Sequence, residues 1–326
     1  MKVEVPAAAD GQRLDVWLAG HLGSSRSQAA ARIDAGQVLL GGTQGARGRR
    51  LRAGEVVEVS APVPAPASPP PPVPPIRYRD EHLLVVAKPA GLVVHPGPGH
   101  ADDTLVDALE AEGIPLAPGT EGHRPGIVHR LDRGTSGLLL VACTQEAFLG
   151  LTAALAARQV ARRYLAVVVG VPEQPRGRIE APIGRDPGER TRFAVVAEGR
   201  HASTRYRVLA TASVGGIEPR RQVASLACEL DTGRTHQLRV HLAALGTPIL
   251  GDPTYGAPAA VSRAAGLDRP FLHAGAIGLD HPVTGARLEF YEPLPDDLRT
   301  ALEHTGLPVA DRQQVLGRWH DRDTAT

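Results

Sequence analysis

Short apolar runs separated by glycine and proline dominate the chain after residue 76. The runs are rich in Val, Leu and Ala, and turn-forming residues bound them. Segments of this length and composition predict β-strands. The predicted strands are residues 83–87, 138–142, 165–169, 193–196, 203–209, 224–229, 238–240 and 287–291.

Longer stretches with helical patterns lie between these runs, at residues 104–112, 147–158, 236–244 and 296–304. The stretch 236–244 contains the run 238–240, so a helix and a strand are both predicted there. Many strands with fewer helices predict a mixed α+β domain dominated by sheet.

The first 60 residues show a different pattern. A first helix is predicted by apolar positions at helical spacing, Leu14, Trp17, Leu18 and Leu22. A second helix is predicted at residues 28–35, with a serine as its N-cap and Gly36 at its end. Short strands are predicted at 37–42 and 55–60, on either side of a basic loop at 47–52. These elements predict a small α/β domain over residues 1–60.

Residues 61–75 separate the two patterns. Nine of these fifteen residues are proline. Such a segment favours extended polyproline II and forms a semi-rigid linker; a ligand segment for a proline-binding partner is the less favoured alternative. We therefore predict a large second domain over residues 76–308, and a weakly ordered tail over the polar residues 309–326.

Composition is that of an ordinary globular protein, with 42% apolar and 22% charged residues. No apolar run is long enough to span a membrane, and the first residues lack the pattern of a signal peptide. The net charge is +1, and the basic residues are two lysines and thirty-four arginines against thirty-five acidic residues. Arginine suits phosphate recognition, but a GC-rich coding sequence explains the same bias. We expect a cytoplasmic protein.

Neither the cysteines nor the histidines are spaced like metal ligands. Cys143 and Cys228 stand alone, and we expect both to be buried as thiols. His236 and His241 are five residues apart, which does not place two ligands on one helix face. We expect no metal and no nucleotide cofactor.

The densest chemical pattern is residues 129–137, His-Arg-Leu-Asp-Arg-Gly-Thr-Ser-Gly. It places the carboxylate of Asp132 beside Arg130 in a polar turn, directly before a predicted strand. The carboxylate is therefore expected on a loop at a sheet edge, where reactive residues often lie. By itself, an Asp in such a turn is more often a residue that caps its own backbone.

Four segments together resemble the motifs of the RluA-type pseudouridine synthases. They are residues 129–137, 80–97, 161–170 and 232–242, the last followed by Gly-Asp-Pro-Thr-Tyr-Gly at 251–256. The resemblance covers roughly residues 76–300. It implies a bent, mainly antiparallel sheet with an RNA-binding cleft, and a reaction that needs no redox step or metal.

The resemblance also implies roles for individual residues. Asp132 is the catalytic carboxylate, which attacks the sugar, attacks the base or removes a ribose proton. Arg234 pairs with Asp132, and Tyr164 stacks on the displaced uracil or takes part in proton transfer. Arg130 helps to fill the space that a flipped uridine leaves, or holds the flipped nucleotide. The alternatives are a surface arginine for Arg234, a buried sheet tyrosine for Tyr164 and a structural ion pair for Arg130.

The small domain resembles the S-four-like RNA-binding domain, in its order of two helices, strand, basic loop and strand. Arg26, Arg32, Arg49 and Arg50 are its candidate phosphate-binding residues.

Taken together, the motifs predict an RNA pseudouridine synthase that acts on large-subunit (23S) ribosomal RNA, with transfer RNA as the alternative. A non-catalytic RNA-binding factor for ribosome assembly is the alternative from another class. A glycoside hydrolase would need a second positioned carboxylate. We expect RNA as the partner, no membrane and no obligate protein partner.

Overall fold

The computed structural model describes residues 1–60, 69–95, 103–119, 124–189, 191–215 and 221–317. The chain divides into two compact units, Met1–Ala67 and Ser68–Thr326. The division falls inside the proline-rich segment 61–75. Each unit has a hydrophobic core of its own.

The first unit packs two helices on a small antiparallel sheet. Its elements are β1 (Lys2–Glu4), a 3-10 turn (Ala7–Ala9), α1 (Leu14–His21), α2 (Arg26–Asp34), β2 (Val38–Leu40), β3 (Thr43–Gln44) and β4 (Val56–Val59). The strand order is β1-β4-β2-β3. Leu14 and Leu18 of α1 pack with Ile33 of α2 and Val57 of β4. Both helices expected in this region are confirmed.

The sequence specifies the start of α2 through a capping box. Ser25 Oγ accepts the backbone N–H of Gln28 at 3.2 Å, and the Gln28 side chain accepts the N–H of Ser25 at 2.9 Å. The two bonds satisfy backbone donors that the first turn leaves open. The helix therefore begins two residues before the predicted position.

A large mixed sheet organises the second unit, and it has nine strands among the described residues. They are β5 (Ile76–Arg79), β6 (Leu83–Lys88), β7 (Ser136–Ala142), β8 (Ala161–Val169), β9 (Arg176–Glu180), β12 (Ser203–Val214), β13 (Arg221–Leu230), β14 (Leu272–Asp280) and β15 (Arg287–Tyr291). The order is β5-β6-β7-β14-β8-β13-β12-β9, with β15 beside β14. A separate hairpin joins β10 (Ile183–Arg185) to β11 (Phe193–Val195). Of these described pairings, β7–β14 is parallel and the others are antiparallel. The predicted α+β class with a mixed, mainly antiparallel sheet is confirmed.

Helices cover both faces of this sheet. They are α3 (Leu105–Ala111), α4 (Gln145–Ala156), α5 (Gln237–Ala244), α6 (Ala259–Ala264), α7 (Asp296–Thr305) and α8 (Arg312–Leu316). Successive residues of β6 face opposite sides, so that Leu84 shares a cluster with Leu105 of α3 while Leu83 shares one with Phe148 of α4. Strands buried on both sides are continuous apolar runs, as found here. Among the described helices, none combines the length and apolarity needed to cross a bilayer.

Two predictions about secondary structure are wrong. Residues 238–240 belong to α5 and not to a strand, because their side chains follow helical spacing within the longer segment. The tail from residue 309 was expected to be weakly ordered, yet residues 312–316 form α8 and Val315 is buried in the main core. Residues 318–326 lie outside the described residues.

The central strand β14 was missed, because Gly275 and Gly278 interrupt its apolar pattern.

Gly137 is the last residue of the motif 129–137 and lies where β7 pairs with β14. Its φ is +114°, and it pairs with Ala274. A Cβ at this position would lie 2.3 Å from the carbonyl oxygen of Ala274, and a backbone atom cannot rotate away. Glycine is therefore required for the only parallel contact described in the sheet, directly after the turn that carries Asp132.

We expect Gly137→Ala to destabilise the second unit more than Gly91→Ala does. Gly91 also has a positive φ, +89°, but an added Cβ would meet nothing within 4 Å. Its replacement reports backbone strain alone, about 1 kcal/mol, whereas Gly137→Ala adds overpacking of roughly 1–3 kcal/mol. Chemical denaturation of the two full-length variants measures the difference. Equal losses of stability would contradict the packing role.

Candidate active site

A cavity of about 700 Å³ opens beside the turn that carries Asp132. Its lining includes Arg130, Asp132, Tyr164 and Arg234, so the structure brings together all four residues predicted in the second unit. The other predicted residues, Arg26, Arg32, Arg49 and Arg50, belong to the first unit. Segments that are far apart in the sequence thus converge at one place.

Lys88 fastens the turn of Asp132 to the end of β6. Its side chain is 1% exposed. The ammonium group donates to the carbonyl oxygens of Pro89 at 2.8 Å, Leu92 at 2.9 Å and Arg133 at 3.4 Å. Burial lowers the pKa of Lys88 to about 7, against the opposing charge of Asp132. One buried lysine therefore ties two of the four sequence motifs together.

The carboxylate of Asp132 is held by Arg239. Arg239 Nη1 lies 3.4 Å from Oδ2 of Asp132. Its Nε and Nη2 donate to the two oxygens of Asp252, at 2.6 and 2.9 Å. The guanidinium also lies 4.8 Å from the ring centre of Tyr255. Burial lowers the pKa of Arg239, but the hydrogen bond and charge of Asp252 outweigh burial and raise it above its ordinary value. Arg239 is thus a fixed cation, oriented by a fully buried carboxylate.

The prediction that Arg234 pairs with Asp132 is wrong. Arg234 Nε donates to the carbonyl oxygen of His201 at 3.0 Å, and its backbone N–H donates to the Gln237 side chain at 3.0 Å. Arg234 precedes α5 and lies on the cavity wall, whereas Arg239 lies within the helix and reaches inward. Both arginines occur in the motif 232–242, and residue type alone does not distinguish them.

His236 is a further side chain beside Asp132. Its backbone is left-handed, with φ of 56°, at the N-cap of α5. Its Nε2 lies 4.0 Å from Oδ1 of Asp132, and its Nδ1 lies 2.8 Å from the Tyr255 hydroxyl, which accepts the N–H of Phe193 at 3.2 Å. Burial lowers the pKa of His236, although the charge of Asp132 acts in the opposite direction. The lowered pKa favours a neutral ring. When the Tyr255 proton faces Nδ1, the ring proton on Nε2 faces Asp132.

Tyr164 and Arg130 occupy different depths of the cavity. Tyr164 is buried on β8, and burial raises its pKa to about 12, with Arg162 opposing and Asp132 adding to the shift. The hydroxyl is therefore protonated at neutral pH. Arg130 is exposed and donates to the Thr235 hydroxyl. It lies within ion-pair distance of no carboxylate among the described residues, which therefore give no support to the structural ion-pair alternative for Arg130.

Asp231 also lines the cavity, but its oxygens are engaged elsewhere. Oδ2 accepts the hydroxyl of Ser203 at 2.8 Å, and Oδ1 accepts Nη2 of Arg205 at 2.8 Å. It is 6% exposed. In the part of the chain that the structure describes, no three His, Cys, Asp or Glu side chains are grouped as a metal site.

The arginines of the first unit differ in their surroundings. Arg26 Nε lies 2.9 Å from Asp15, and Arg49 pairs with Glu55. Arg50 donates to the carbonyl oxygen of Gly11 at 2.8 Å, and no carboxylate of the described residues pairs with its charge.

Asp15 is the buried centre of an arginine pair. It also accepts two hydrogen bonds from Arg13, at 3.0 and 3.1 Å. The bond from Arg13, followed by that from Arg26, lowers the pKa of Asp15 to about 2. The side chain of Arg32 has no hydrogen bond or ion pair with any described residue. The four predicted residues are therefore not equivalent as phosphate ligands.

Comparison with known proteins gives a consistent result. A family model described as RNA pseudouridylate synthase matches residues 82–244. A relative from Chloroflexus aurantiacus, named an uncharacterized RNA pseudouridine synthase, is 45% identical over 303 residues, which cover 92% of each chain. Ribosomal large subunit pseudouridine synthase D of Xanthomonas campestris pv. campestris is 41% identical over 307 residues, which cover 90% of this chain and 89% of that protein.

A solved structure shares the fold over most of this chain. Human RNA pseudouridylate synthase domain containing 4 is 27% identical, with a TM-score of 0.54, and the match covers 72% of this chain and 94% of the human chain. The family model spans the motifs that converge on the cavity, and the relatives extend over nearly the whole chain. This chain therefore belongs to the RluA-type family of RNA pseudouridine synthases and is an RNA pseudouridine synthase.

Proposed function

We propose that the protein isomerises specific uridines of large-subunit ribosomal RNA, with Asp132 as the catalytic carboxylate. The observation that carries the catalytic assignment is the fixed arrangement of Asp132 on Arg239 at the wall of the cavity. The substrate assignment is supported by the relative named ribosomal large subunit pseudouridine synthase D, which matches along most of its length. Transfer RNA is the alternative substrate.

The reaction sets clear requirements for the site. The bond from ribose C1′ to uracil N1 breaks, the base turns, and a bond from C1′ to C5 forms. Asp132 has a partly exposed side chain, so it can meet a flipped nucleotide, while Arg239 fixes the orientation of the carboxylate. Attack on the sugar, attack on the base and removal of a ribose proton all require the same ionised carboxylate.

Tyr164 and Arg130 lie at different depths of the cavity, and each adds a function to that of the Asp132 carboxylate. The buried Tyr164 offers a ring face and a protonated hydroxyl to the displaced uracil. Arg130, exposed at the cavity edge, fills the space in the RNA that the flipped uridine leaves. Both roles need a nucleotide that has left its stack.

The other classes of function fit the geometry less well. A glycoside hydrolase needs a second carboxylate that is free to act as an acid or base, and Asp231 is held by Ser203 and Arg205. A factor that only binds RNA has no use for a carboxylate oriented by Arg239 and Asp252. Neither alternative is favoured.

We propose that the first unit binds RNA phosphates. Its exposed arginines supply positive charge, although Asp15 and Glu55 neutralise part of that charge. Arg32 and Arg50, which lack a carboxylate partner among the described residues, are the strongest candidates. A second RNA contact on the same chain raises the effective concentration of RNA at the catalytic cavity.

Asp132→Asn is expected to abolish pseudouridine formation, with at least about a thousandfold loss of the single-turnover rate. Asparagine keeps the shape but removes the charge that the reaction needs. The single-turnover rate is measured on target ribosomal RNA isolated from cells that lack the gene, with pseudouridine mapping as the readout and RNA affinity and circular dichroism as controls. A rate within tenfold of wild type rules out Asp132 as the catalytic residue.

The structure also predicts which arginine supports Asp132. Arg239→Lys keeps the positive charge but loses the fork that bridges Asp252 and Asp132, so we expect roughly a hundredfold loss of rate at saturating RNA. Arg234→Lys, the matched control in the same motif, should reduce that rate less than tenfold. A larger loss in Arg234→Lys than in Arg239→Lys would reverse the assignment.

Replacement of Arg32 and Arg50 by glutamine should weaken RNA binding and flatten its dependence on salt. Each lost phosphate contact lowers the slope of log affinity against log salt by about 0.7–0.9. The control replaces Arg287 and Arg299 by glutamine, because these exposed arginines of the second unit pair with Asp280 and Asp296 and the change in net charge is equal. Identical slopes for the two double variants would contradict the role of the first unit.

A further inference from the structure

Two consecutive buried arginines on β8 point to opposite faces of the sheet. Arg163 pairs with Glu229 at 2.9 Å and with Glu289 at 3.6 Å. Arg162 lies on the other face, which it shares with Tyr164, because side chains alternate along a strand. Both are 6% exposed. The pair thus provides a direct comparison between a neutralised buried arginine and its neighbour.

Arg162 lacks the carboxylate partners that Arg163 has. Its Nη2 donates to the carbonyl oxygen of Leu230 at 3.3 Å, and its buried Nε has no hydrogen-bond partner. Within the described ranges, no carboxylate lies within 4.0 Å of its guanidinium. The nearby acids Glu229 and Asp231 both pair with Arg205, at 2.7 and 2.8 Å. Arg162 is therefore a desolvated cation on the cavity wall without a counterion.

The groups that surround Arg162 do not supply the missing negative charge. Burial raises the pKa of Tyr164 to about 12, so its phenol is neutral. Burial and the charge of Arg162 lower the pKa of His129 to about 3, so its ring is neutral too, and its Nε2 accepts the N–H of Leu140 at 3.0 Å. At Gly233, a Cβ would lie 2.8 Å from Nη1 of Arg162, so the turn before α5 leaves room for this guanidinium.

A buried cation without a counterion lowers stability, because desolvation is not repaid by an ion pair. Charged groups kept in such an environment are concentrated at functional sites. The other arginines that line the cavity differ from Arg162. Arg124, Arg130, Arg158 and Arg200 are exposed, and Arg234 is bound to His201. Arg239, beside the cavity in α5, already faces Asp252 and Asp132. An anion that enters the cavity would therefore be stabilised most strongly by Arg162.

The reaction itself generates such an anion. When the C1′–N1 bond breaks, its electron pair remains on uracil, and the negative charge spreads over N1 and the two carbonyl oxygens. After the base turns, C5 forms the bond to C1′. The proton lost from C5 and the proton gained at N1 balance, so the charge on the base exists only between these two bond changes.

We propose that Arg162 binds a carbonyl oxygen of the detached uracil and stabilises its negative charge while the base turns. The proposal rests on the assignment of this cavity as the active site. The free Nε–H and the remaining guanidinium protons are the donors, and the neutral ring of Tyr164 lies on the same face. An oriented, desolvated donor of this kind stabilises charge that appears only during the reaction, so it acts on rate and not on RNA affinity.

Three variants test this role: Arg162→Met, Arg162→Lys and the matched control Arg163→Met. We expect Arg162→Met to lower the single-turnover rate at saturating RNA by about 10²–10³-fold, with RNA affinity within threefold of wild type and no loss of thermal stability. Arg162→Lys should recover part of the rate. Arg163→Met should reduce thermal stability but keep the rate within about threefold. A rate within threefold of wild type for Arg162→Met, or a fall in its melting temperature as large as that of Arg163→Met, overturns the proposal.

A binding measurement separates this proposal from the catalytic role of Asp132. The probe is 5-nitrouracil, which is an anion at neutral pH because the nitro group acidifies the ring, with thymine as the neutral control. We expect wild type and Asp132→Asn to prefer the anion, and Arg162→Met to lose that preference by at least tenfold. Equal preference in wild type and Arg162→Met overturns the role of Arg162, whatever the activity of Asp132→Asn. An active Asp132→Asn with an intact preference overturns only the catalytic assignment.

Discussion

The ion pair between Arg239 and Asp252 is the constraint on which the site depends. Asp252 is fully buried and holds two nitrogens of Arg239, so the guanidinium can turn only its remaining edge toward Asp132. A lone flexible arginine would lose side-chain entropy each time it met the carboxylate. Here that entropy is lost once, on folding. The orientation of the Asp132 carboxylate therefore follows from an ion pair that forms when the chain folds.

Two other contacts make this arrangement possible, and both lie at motif residues with no direct chemistry. Lys88 binds the backbone of the Asp132 turn, and Gly137 lets that turn pass against β14. Short sequence motifs of an enzyme thus include residues that set the backbone conformation around the site. Loss of such a residue and loss of the carboxylate would look alike in an activity assay, and only stability measurements distinguish them.

The sequence was sufficient for the elements with strong periodicity and for the identity of the central motif. The resemblance of residues 129–137 and 161–170 to the family motifs predicts that Asp132 and Tyr164 share one site, and both line the cavity. The assignment of Arg234 failed for a physical reason: a motif gives residue types in order, but only helix geometry decides which arginine points inward. β14 was missed because glycines that permit close packing also weaken the strand pattern.

Buried charged side chains are distributed unequally between the two faces of the sheet in the second unit. Along the sheet, Arg163 and Arg205 are neutralised by Glu229 and Asp231, which leaves a polar layer with little net charge. Arg162 lies next to this layer and is excluded from it, because strand alternation turns it to the cavity face. The same β-strand therefore separates an arginine that stabilises the fold from one whose charge is available to a ligand. A net charge of +1 for the whole chain conceals this division. Among the described residues, the arginines that we propose as ligands of RNA and of uracil are ones without a carboxylate partner, so their positions matter more than the total number of basic residues.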